Sequence, residues 1–325
     1  MRFSIHLSTR IRDKRNELPL INYMTDLALE ADAGGFGGIS LTEHHIHENQ
    51  GYQNSLLFAC ALAPRLKQAT IVLATVNPAL HHPVRLVESC NLIDQLNGGR
   101  LVVGFGPGFK ETDLVAFGRD LVQRSVLFEE AMRIVLDIWR FDGTGGPFEF
   151  AVGSDRGRID AAVNPSSYRK PHPILARGTL TASAAADAAA RGWAVFTVAK
   201  DPEDAGRQLS GYHAALAASG RDAETIELAR AWTAVAKAVH VAQTDAQAKA
   251  EAQAYFRKNP SGAIARNAGD MICGSPETVT RAMRAYAGAG VGQMICGFLI
   301  DVEDRSMLRR SLRLFHEEVI PQVAV

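Results

Sequence analysis

Gly38-Ile39-Ser40-Leu41-Thr42-Glu43-His44-His45 runs from a short apolar segment directly into imidazoles and carboxylates. The apolar part, residues 38–42, has the length of a buried strand. His47 and Glu48 follow, so that three histidines and two glutamates lie between positions 43 and 48. Active sites of parallel α/β barrels lie on the loops that follow the strands. The segment therefore predicts both a strand of a parallel sheet and a site at its carboxyl end.

Similar short apolar runs recur along the chain and alternate with longer amphipathic stretches. This alternation favours a parallel sheet covered by helices. The candidate strands are residues 3–7, 38–42, 70–74, 100–104, 172–176, 194–198, 234–241 and 293–299. The candidate helices are residues 18–33, 55–66, 83–96, 125–139, 183–191, 202–218, 245–256, 276–289 and 305–319. Eight strands are what a (β/α)8 TIM barrel needs, and such barrels reach this length as one unit, so we predict a single α/β domain over residues 1–325.

Two connections are longer than ordinary barrel turns. Residues 141–170 are rich in Gly and Asp, and residues 257–274 contain Asn259-Pro260-Ser261-Gly262. Long connections in compact domains are usually functional lids or binding loops, with a disordered surface excursion as the alternative. We expect both insertions to form lids.

The composition of the chain argues against nucleic acid and membranes as binding partners. The 35 Lys and Arg balance 35 Asp and Glu, so no overall field draws the chain to nucleic acid or to an anionic membrane. No apolar run is long enough to span a bilayer. The four cysteines form no C-x-x-C pair and are expected to be reduced thiols. Met1 leads directly into a strand-like segment without a signal-peptide pattern, so we expect a cytoplasmic protein.

The histidine cluster predicts proton transfer. Imidazole titrates near neutrality, and a neighbouring carboxylate can fix its tautomer. His44 or His45 is therefore a candidate general base, the alternative being a histidine that only satisfies a backbone carbonyl.

Several segments in a fixed order resemble one family. They are Leu41-Thr42-Glu43-His44-His45, Ile71-Val72-Leu73-Ala74-Thr75, His82-Pro83-Val84-Arg85, Asn91-Leu92-Ile93-Asp94-Gln95-Leu96 and Gly99-Arg100-Leu101. Their order and spacing are similar to those of the bacterial luciferase α subunit and its relatives, the luciferase-like flavin monooxygenases. Gly274-Ser275-Pro276-Glu277 and the segment around Phe315 resemble the same family's C-terminal end, so the resemblance spans nearly the whole chain.

The resemblance implies roles for particular residues. His44 matches the family's catalytic histidine, and Glu43 and His45 match its neighbours. Asp113 matches an acidic residue near the flavin pyrimidine edge. Ala74-Thr75 matches a non-prolyl cis peptide that lies under the isoalloxazine ring.

The phosphate site departs from the luciferase pattern. Gly106 and Pro107 stand where luciferase has a reactive cysteine and a phosphate-binding arginine, so we expect Arg124 or Arg177 to replace that arginine and Gly106 to let the backbone approach the flat ring. The segment from Gly178 to the start of an alanine-rich helix offers Thr181, Ser183 and backbone N–H groups to a dianion. An ordinary N-cap uses the same residue types.

The resemblance also implies a reaction. Reduced flavin, FMNH2, would react with O2 through a flavin 4a-hydroperoxide and oxidise a small organic substrate, with a separate flavin reductase supplying FMNH2 to a homodimer. Hydroxylation, Baeyer–Villiger oxidation and desulfonation all stay open, because the substrate pocket depends on loop conformations. Light emission is not expected without the cysteine and arginine.

Three other functions stay open. A coenzyme F420-dependent dehydrogenase shares the fold and transfers hydride without oxygen. A metal-dependent hydrolase would use His45, His47 and Asp301 but lacks further ligands at other strand ends, so we expect no metal. A non-catalytic flavin-binding subunit would lack the histidine pair.

Overall fold

A computed structural model describes residues 1–8, 17–46, 51–153, 155–179, 181–259, 269–300 and 305–323. Its strands are β1 (Arg2–His6), β2 (Gly38–Leu41), β3 (Thr70–Val76), β4 (Leu101–Phe105), β5 (Phe148–Val152), β6 (Asp155–Ile159), β7 (Ile174–Gly178), β8 (Ala194–Val198), β9 (Ala234–Val241), β10 (Ile272–Gly274) and β11 (Gln293–Phe298).

The helices surround these strands. They are α1 (Leu18–Ala33), α2 (Ser55–Leu62), α3 (Pro83–Leu96), α4 (Glu111–Ala116), α5 (Arg124–Arg140), α6 (Ala182–Arg191), α7 (Pro202–Ala217), α8 (Ala223–Trp232), α9 (Asp245–Lys258), α10 (Pro276–Gly288), α11 (Arg305–Leu314) and α12 (Ile320–Val323). A π-helical stretch, Phe315–Val319, connects the last two. Helices α4 and α8 were not predicted.

Eight strands form a closed parallel barrel in the order β1, β2, β3, β4, β7, β8, β9, β11 and back to β1. These are the eight predicted strands, so the predicted (β/α)8 barrel is confirmed. Strand β7 begins two residues later than predicted, because Pro171 and Pro173 lack the N–H that a ladder requires. As a consequence Arg177 and Gly178 belong to the strand and not to the loop after it.

Side chains of the barrel strands alternate between two hydrophobic clusters. The smaller cluster, with Val72, Val102, Ile174, Phe196 and Ile295, fills the barrel interior. The larger cluster contains the intervening strand residues and the apolar faces of the helices. A parallel sheet covered by helices is buried on both faces, which is why its strands show as nearly continuous apolar runs in the sequence.

Capping residues set where several helices begin. Thr181, Asp201, Thr244 and Ser275 each accept a hydrogen bond from a backbone N–H in the first turn of α6, α7, α9 and α10. Gly192, in the left-handed region at φ 73°, ends α6.

The first long insertion is an antiparallel hairpin of β5 and β6, which was not predicted. It packs on the side of the barrel: Arg119 Nη2 donates to Asp155 Oδ2 over 2.7 Å, and Asn91 Nδ2 donates to the carbonyl of Pro165 over 2.8 Å. No described residue between 141 and 170 lines the cavity at the barrel mouth. Most of the second insertion, residues 260–268, lies outside the described residues, and Asp270 from its described end lines that cavity.

Candidate active site

A cavity of about 1310 Å³ lies at the carboxyl ends of the barrel strands. Its walls include residues that follow or end β2, β3, β4 and β7, where sequence analysis placed the site. Every predicted site residue except His45 lines it, namely Glu43, His44, Ala74, Thr75, Gly106, Asp113, Arg124, Arg177, Gly178, Thr181 and Ser183. Barrel closure thus brings together residues separated by well over a hundred positions.

His44 and Asp113 form a pair at the cavity wall. His44 Nδ1 lies 3.2 Å from Asp113 Oδ2, and their side chains are 25% and 12% exposed. Asp113 is held in the first turn of α4, and the edge of Phe109 lies against the His44 ring at 6.1 Å between centroids. The carboxylate favours the tautomer with hydrogen on Nδ1, so Nε2 is the atom able to take a proton. The second oxygen, Asp113 Oδ1, is buried and has no hydrogen-bond partner among the described residues.

Glu43 is a buried carboxylate that connects three segments. Its Oε1 accepts hydrogen bonds from His45 Nε2 at 3.1 Å and from His81 Nε2 at 2.6 Å, and its Oε2 accepts one from the backbone N–H of Asn77 at 2.8 Å. Burial by itself would raise the pKa of Glu43, but the hydrogen bonds from the two imidazoles and the amide outweigh burial and lower the pKa to about 2. Glu43 is therefore ionised at neutral pH and fixes the loop after β3.

His45 takes a different position from the other predicted residues. Its ring is buried, points to Glu43 and packs edge-on against Phe117 with 4.6 Å between ring centroids. It does not line the cavity. Its contact with the site is indirect, through the carboxylate of Glu43.

The ends of β3, β4 and β7 form one wall of the cavity, made of Ala74, Thr75, Gly106 and Gly178. The Ala74-Thr75 peptide bond is cis, as the resemblance implied, and the register between β3 and β4 shifts at this point. A Cβ added at Gly106 would lie 2.9 Å from Thr75 Oγ1, and one added at Gly178 would lie 2.9 Å from Thr75 Cγ2. The absence of a Cβ at Gly106 and Gly178 therefore makes room for the Thr75 side chain. Because this wall carries only small side chains, we call Ala74, Thr75, Gly106 and Gly178 the flat wall.

The other end of the cavity carries hydroxyls and two arginines. Thr181 Oγ1 accepts from the N–H of Ala184 at 3.3 Å and lies 3.3 Å from Ser183 Oγ, so Thr181 is an N-cap of α6 that also lines the cavity. Arg177 is neutralised by Glu129 and Asp187, each 2.5 Å from its guanidinium.

Arg124 differs from Arg177 in its partners. Its Nη1 donates to the carbonyl of Leu121 over 3.1 Å, and no carboxylate in the described part of the chain pairs with it. Arg124 therefore brings to this end of the cavity a positive charge that no carboxylate among the described residues offsets.

Sequence reasoning missed four polar residues of the site. His81 and Asn77 follow β3 and hold Glu43, while His6 ends β1 and lines the cavity. Lys237 of β9 also lines it, and its ammonium donates to the carbonyls of Ala199 and Lys200 at 3.1 and 3.0 Å. Desolvation lowers the pKa of Lys237 against the opposing effect of nearby aspartates. A polar residue at or just after a predicted strand end was the available signal for His6, Asn77 and His81.

The described residues contain no group of three or more His, Cys, Asp or Glu arranged to hold a metal ion. Two residues of the hydrolase alternative, His47 and Asp301, lie outside the described residues. Among the helices of the described ranges, none combines the length and apolar content that a membrane crossing requires.

Comparison with known proteins identifies similar chains. A family model described as luciferase-like monooxygenase matches residues 1–293. The alkanal monooxygenase alpha chain of the Kryptophanaron alfredi symbiont is 28% identical over 193 residues, which is 58% of this chain and 52% of that relative. The match thus spans about half of the relative's length.

Solved structures share the fold over the full length. A monooxygenase, RslO1 from Streptomyces bottropensis, has a TM-score of 0.84 at 24% identity, covering 100% of both chains. The oxygenating constituent of 3,6-diketocamphane monooxygenase from Pseudomonas putida, a type II Baeyer–Villiger monooxygenase in complex with FMN, has a TM-score of 0.83 at 18% identity, covering 100% of both. An F420-dependent secondary alcohol dehydrogenase has a TM-score of 0.74 at 16% identity, covering 100% of this chain and 99% of that one. At these identities the likeness shows the fold alone.

Proposed function

Since the chain belongs to the luciferase-like monooxygenase family, we propose that it uses FMNH2 and O2 to oxidise a small organic molecule. The observation that carries this proposal is the His44–Asp113 pair beside the flat wall at Ala74-Thr75 in one cavity. A proton-transferring imidazole next to a surface shaped for a planar ring is what flavin-dependent oxygenation requires of a protein.

The residues present fit FMN. The flat wall of Ala74, Thr75, Gly106 and Gly178 would hold the ring, and the unpartnered Asp113 Oδ1 would accept a hydrogen bond from its edge. The N-terminus of α6 would hold the phosphate through Thr181, Ser183 and backbone N–H groups, with Arg124 as the counter-charge. When bound, the reduced flavin supplies the electrons with which O2 is activated.

The chain's own residues supply orientation, proton control and exclusion of water. Asp113 orients His44, whose Nε2 takes or returns a proton at the reacting oxygen. Glu43 holds the loop after β3 through Asn77 and so keeps the flat wall in place. Apolar residues such as Leu80, Leu114 and Phe196 line part of the cavity and offer water no hydrogen-bonding side chain there.

Arg124→Ala tests the phosphate assignment. Hydrogen bonds to charged groups contribute about 1.5–3 kcal/mol, so the Kd for FMN is expected to rise roughly tenfold to a hundredfold. The Kd for riboflavin, which lacks the phosphate, should change little. Fluorescence titration with both flavins measures this ratio. Arg133→Ala on the same helix is the matched control, since Arg133 is exposed and pairs with Asp137 away from the cavity. Equal weakening of both flavins would contradict the assignment.

Oxygen insertion is tested by turnover under 18O2. The protein would be supplied with FMN, a flavin reductase with its nicotinamide, and a panel of ketones, aldehydes and aromatics, with products analysed by mass spectrometry. One 18O atom in the product is the expected result. Oxidation that proceeds without label and requires F420 would replace the proposal by hydride transfer.

A coenzyme F420-dependent dehydrogenase is the second candidate. It is favoured by the likeness of the whole chain to an F420-dependent secondary alcohol dehydrogenase. We rank this dehydrogenase below the FMN-dependent monooxygenase, because Glu43-His44-His45 and the loop after β4 resemble luciferase more than the F420-dependent enzymes.

We also propose that a separate flavin reductase supplies FMNH2 and that the protein is a cytoplasmic homodimer, as the family resemblance implies. Leu57 of α2 and Leu92 and Leu96 of the neighbouring α3 are exposed apolar side chains that a second copy could cover. Light scattering on the purified protein measures the oligomeric state.

A further inference from the structure

Two helices present matching faces to one end of the cavity. On α5, Ser125 and Glu129 are separated by one helical turn and both line the cavity. On α6, Ser183 and Asp187 have the same spacing and also line it. Residues i and i+4 lie on the same side of a helix, with about 5–6 Å between their Cβ atoms. Each helix therefore brings a hydroxyl in its first turn and a carboxylate one turn further along.

Arg177 of β7 connects the two carboxylates. Its Nη2 donates to Glu129 Oε1 and its Nη1 to Asp187 Oδ2, each over 2.5 Å. The side chain of Arg177 is 12% exposed, and its guanidinium lies over the ring of Phe128, 4.9 Å from the centroid. Glu129, by contrast, is half exposed. Packing therefore fixes the arginine, whereas Glu129 can be substituted without disturbing a buried group.

The formal charges of this network cancel. Asp187 also accepts a hydrogen bond from Arg191 Nε over 3.0 Å, whereas the ion pair of Glu129 with Arg177 is its only one in the described part of the chain. Two guanidinium groups and two carboxylates give a sum of zero. Without the charge of Glu129, the same four side chains would have one excess positive charge, about one helical turn from the hydroxyls in the first turns of α5 and α6.

This charge balance bears on the binding of phosphate. The proposed function places the flavin phosphate at the N-terminus of α6, beside Thr181 and Ser183. A guanidinium binds phosphate well because it presents several N–H groups in a planar fork. In this chain Glu129 and Asp187 each accept one N–H of the Arg177 fork. The phosphate and the Glu129 carboxylate therefore compete for the same guanidinium.

We propose that Glu129 is a specificity-determining residue that withholds Arg177 from the flavin phosphate, and so limits the preference of the site for FMN over unphosphorylated flavin. This inference rests on the proposed function and deepens it. A protein that receives FMNH2 from a separate reductase must release FMN after each turnover, which requires a phosphate site of limited strength. Arg124 then provides the counter-charge to the phosphate, and Glu129 keeps a second arginine from adding to it.

Glu129→Gln tests this role, because it keeps the size of the side chain and removes its charge. Fluorescence titration should give an FMN Kd about threefold to tenfold lower than that of the wild-type protein, since one negative charge near the phosphate is lost. The Kd for riboflavin should stay the same. Release of FMN in stopped-flow mixing should slow by a similar factor, because affinity differences between related complexes lie mostly in the dissociation rate. Glu130→Gln is the matched control, since Glu130 is the next residue of α5 and does not line the cavity.

A second variant tests whether Glu129 acts through Arg177. The gain in FMN affinity should be absent when Glu129→Gln is introduced into the Arg177→Gln protein. A gain of the same size in that background would assign it to the loss of charge alone and overturn the role of Arg177. Glu129→Gln changes a half-exposed side chain, so the comparison of FMN with riboflavin stands even where Arg177→Gln fails to fold.

The outcomes separate this inference from the proposed function. Wild-type protein that binds FMN, together with a Glu129→Gln variant that binds it no more tightly, overturns the role of Glu129 and leaves the proposed function standing. Equal tightening of FMN and riboflavin also overturns that role, because riboflavin has no phosphate. Absence of FMN binding in both proteins contradicts the proposed function, and with it the phosphate site on which the role of Glu129 depends.

Discussion

Replacement of His44 by alanine is expected to lower the rate of substrate oxidation by about a hundredfold to ten-thousandfold, the usual contribution of a positioned acid–base group. The physical reason is that His44 Nε2, with the ring fixed by Asp113, is the proton carrier at the cavity wall. FMN binding should change little, because the flat wall and the phosphate end are built by other residues. Reduced flavin would then be consumed with formation of hydrogen peroxide and not of product.

Single-turnover product yield per FMNH2 and hydrogen peroxide release measure this effect directly. His82→Ala is the matched control, because that histidine is exposed and does not line the cavity. A His44→Ala protein that keeps the wild-type yield would show that the imidazole is not the proton carrier.

Glu43→Gln is expected to lower the free energy of unfolding by about 3 kcal/mol at neutral pH, because it removes a buried charge on which three donors converge. Folding lowers the pKa of Glu43 from 4.5 to about 2. A carboxylate with a lowered pKa contributes stability above its unfolded value, and that contribution is lost as the pH falls through the folded value. The difference between wild type and variant should therefore be constant above pH 4.5 and shrink below it toward pH 2.

Urea denaturation at several pH values provides the measurement. Glu227→Gln on α8 is the control, since Glu227 is exposed and forms no ion pair within the described ranges. A pH-independent difference would indicate that the loss comes from packing and not from the charge of Glu43.

The barrel could be predicted because each of its strands is a compact apolar run. The β5–β6 hairpin was missed because its strands are short, half-exposed and set in a Gly-rich segment. Strand β10 has only three residues, which is too short to show an alternation of apolar and polar residues. Helix α8 follows α7 after a short connection, and its Asp222 cap was the available signal.

The site was predictable where its residues are adjacent in sequence or carried by the resemblance. The cluster of Glu43, His44 and His45 can be found from the sequence because its three residues are consecutive. The contacts that give these residues their chemistry join distant segments: His44 to Asp113, and Glu43 to His81. Spacing alone contains no information on such pairs, because they depend on which strand ends become neighbours when the barrel closes. The ion pairs of Arg177 with Glu129 and Asp187 also join residues that are distant in sequence, so spacing could not predict them.

The central claim, that this cavity uses FMNH2 with O2, is tested most directly by anaerobic titration with FMNH2 and with reduced F420. Each complex is then mixed rapidly with air-saturated buffer while the absorbance spectrum is recorded. We expect tight binding of FMNH2 and a transient spectrum that neither reduced nor oxidised FMN shows, followed by oxidised FMN. Binding of reduced F420 alone, with no spectral change on exposure to oxygen, would contradict it.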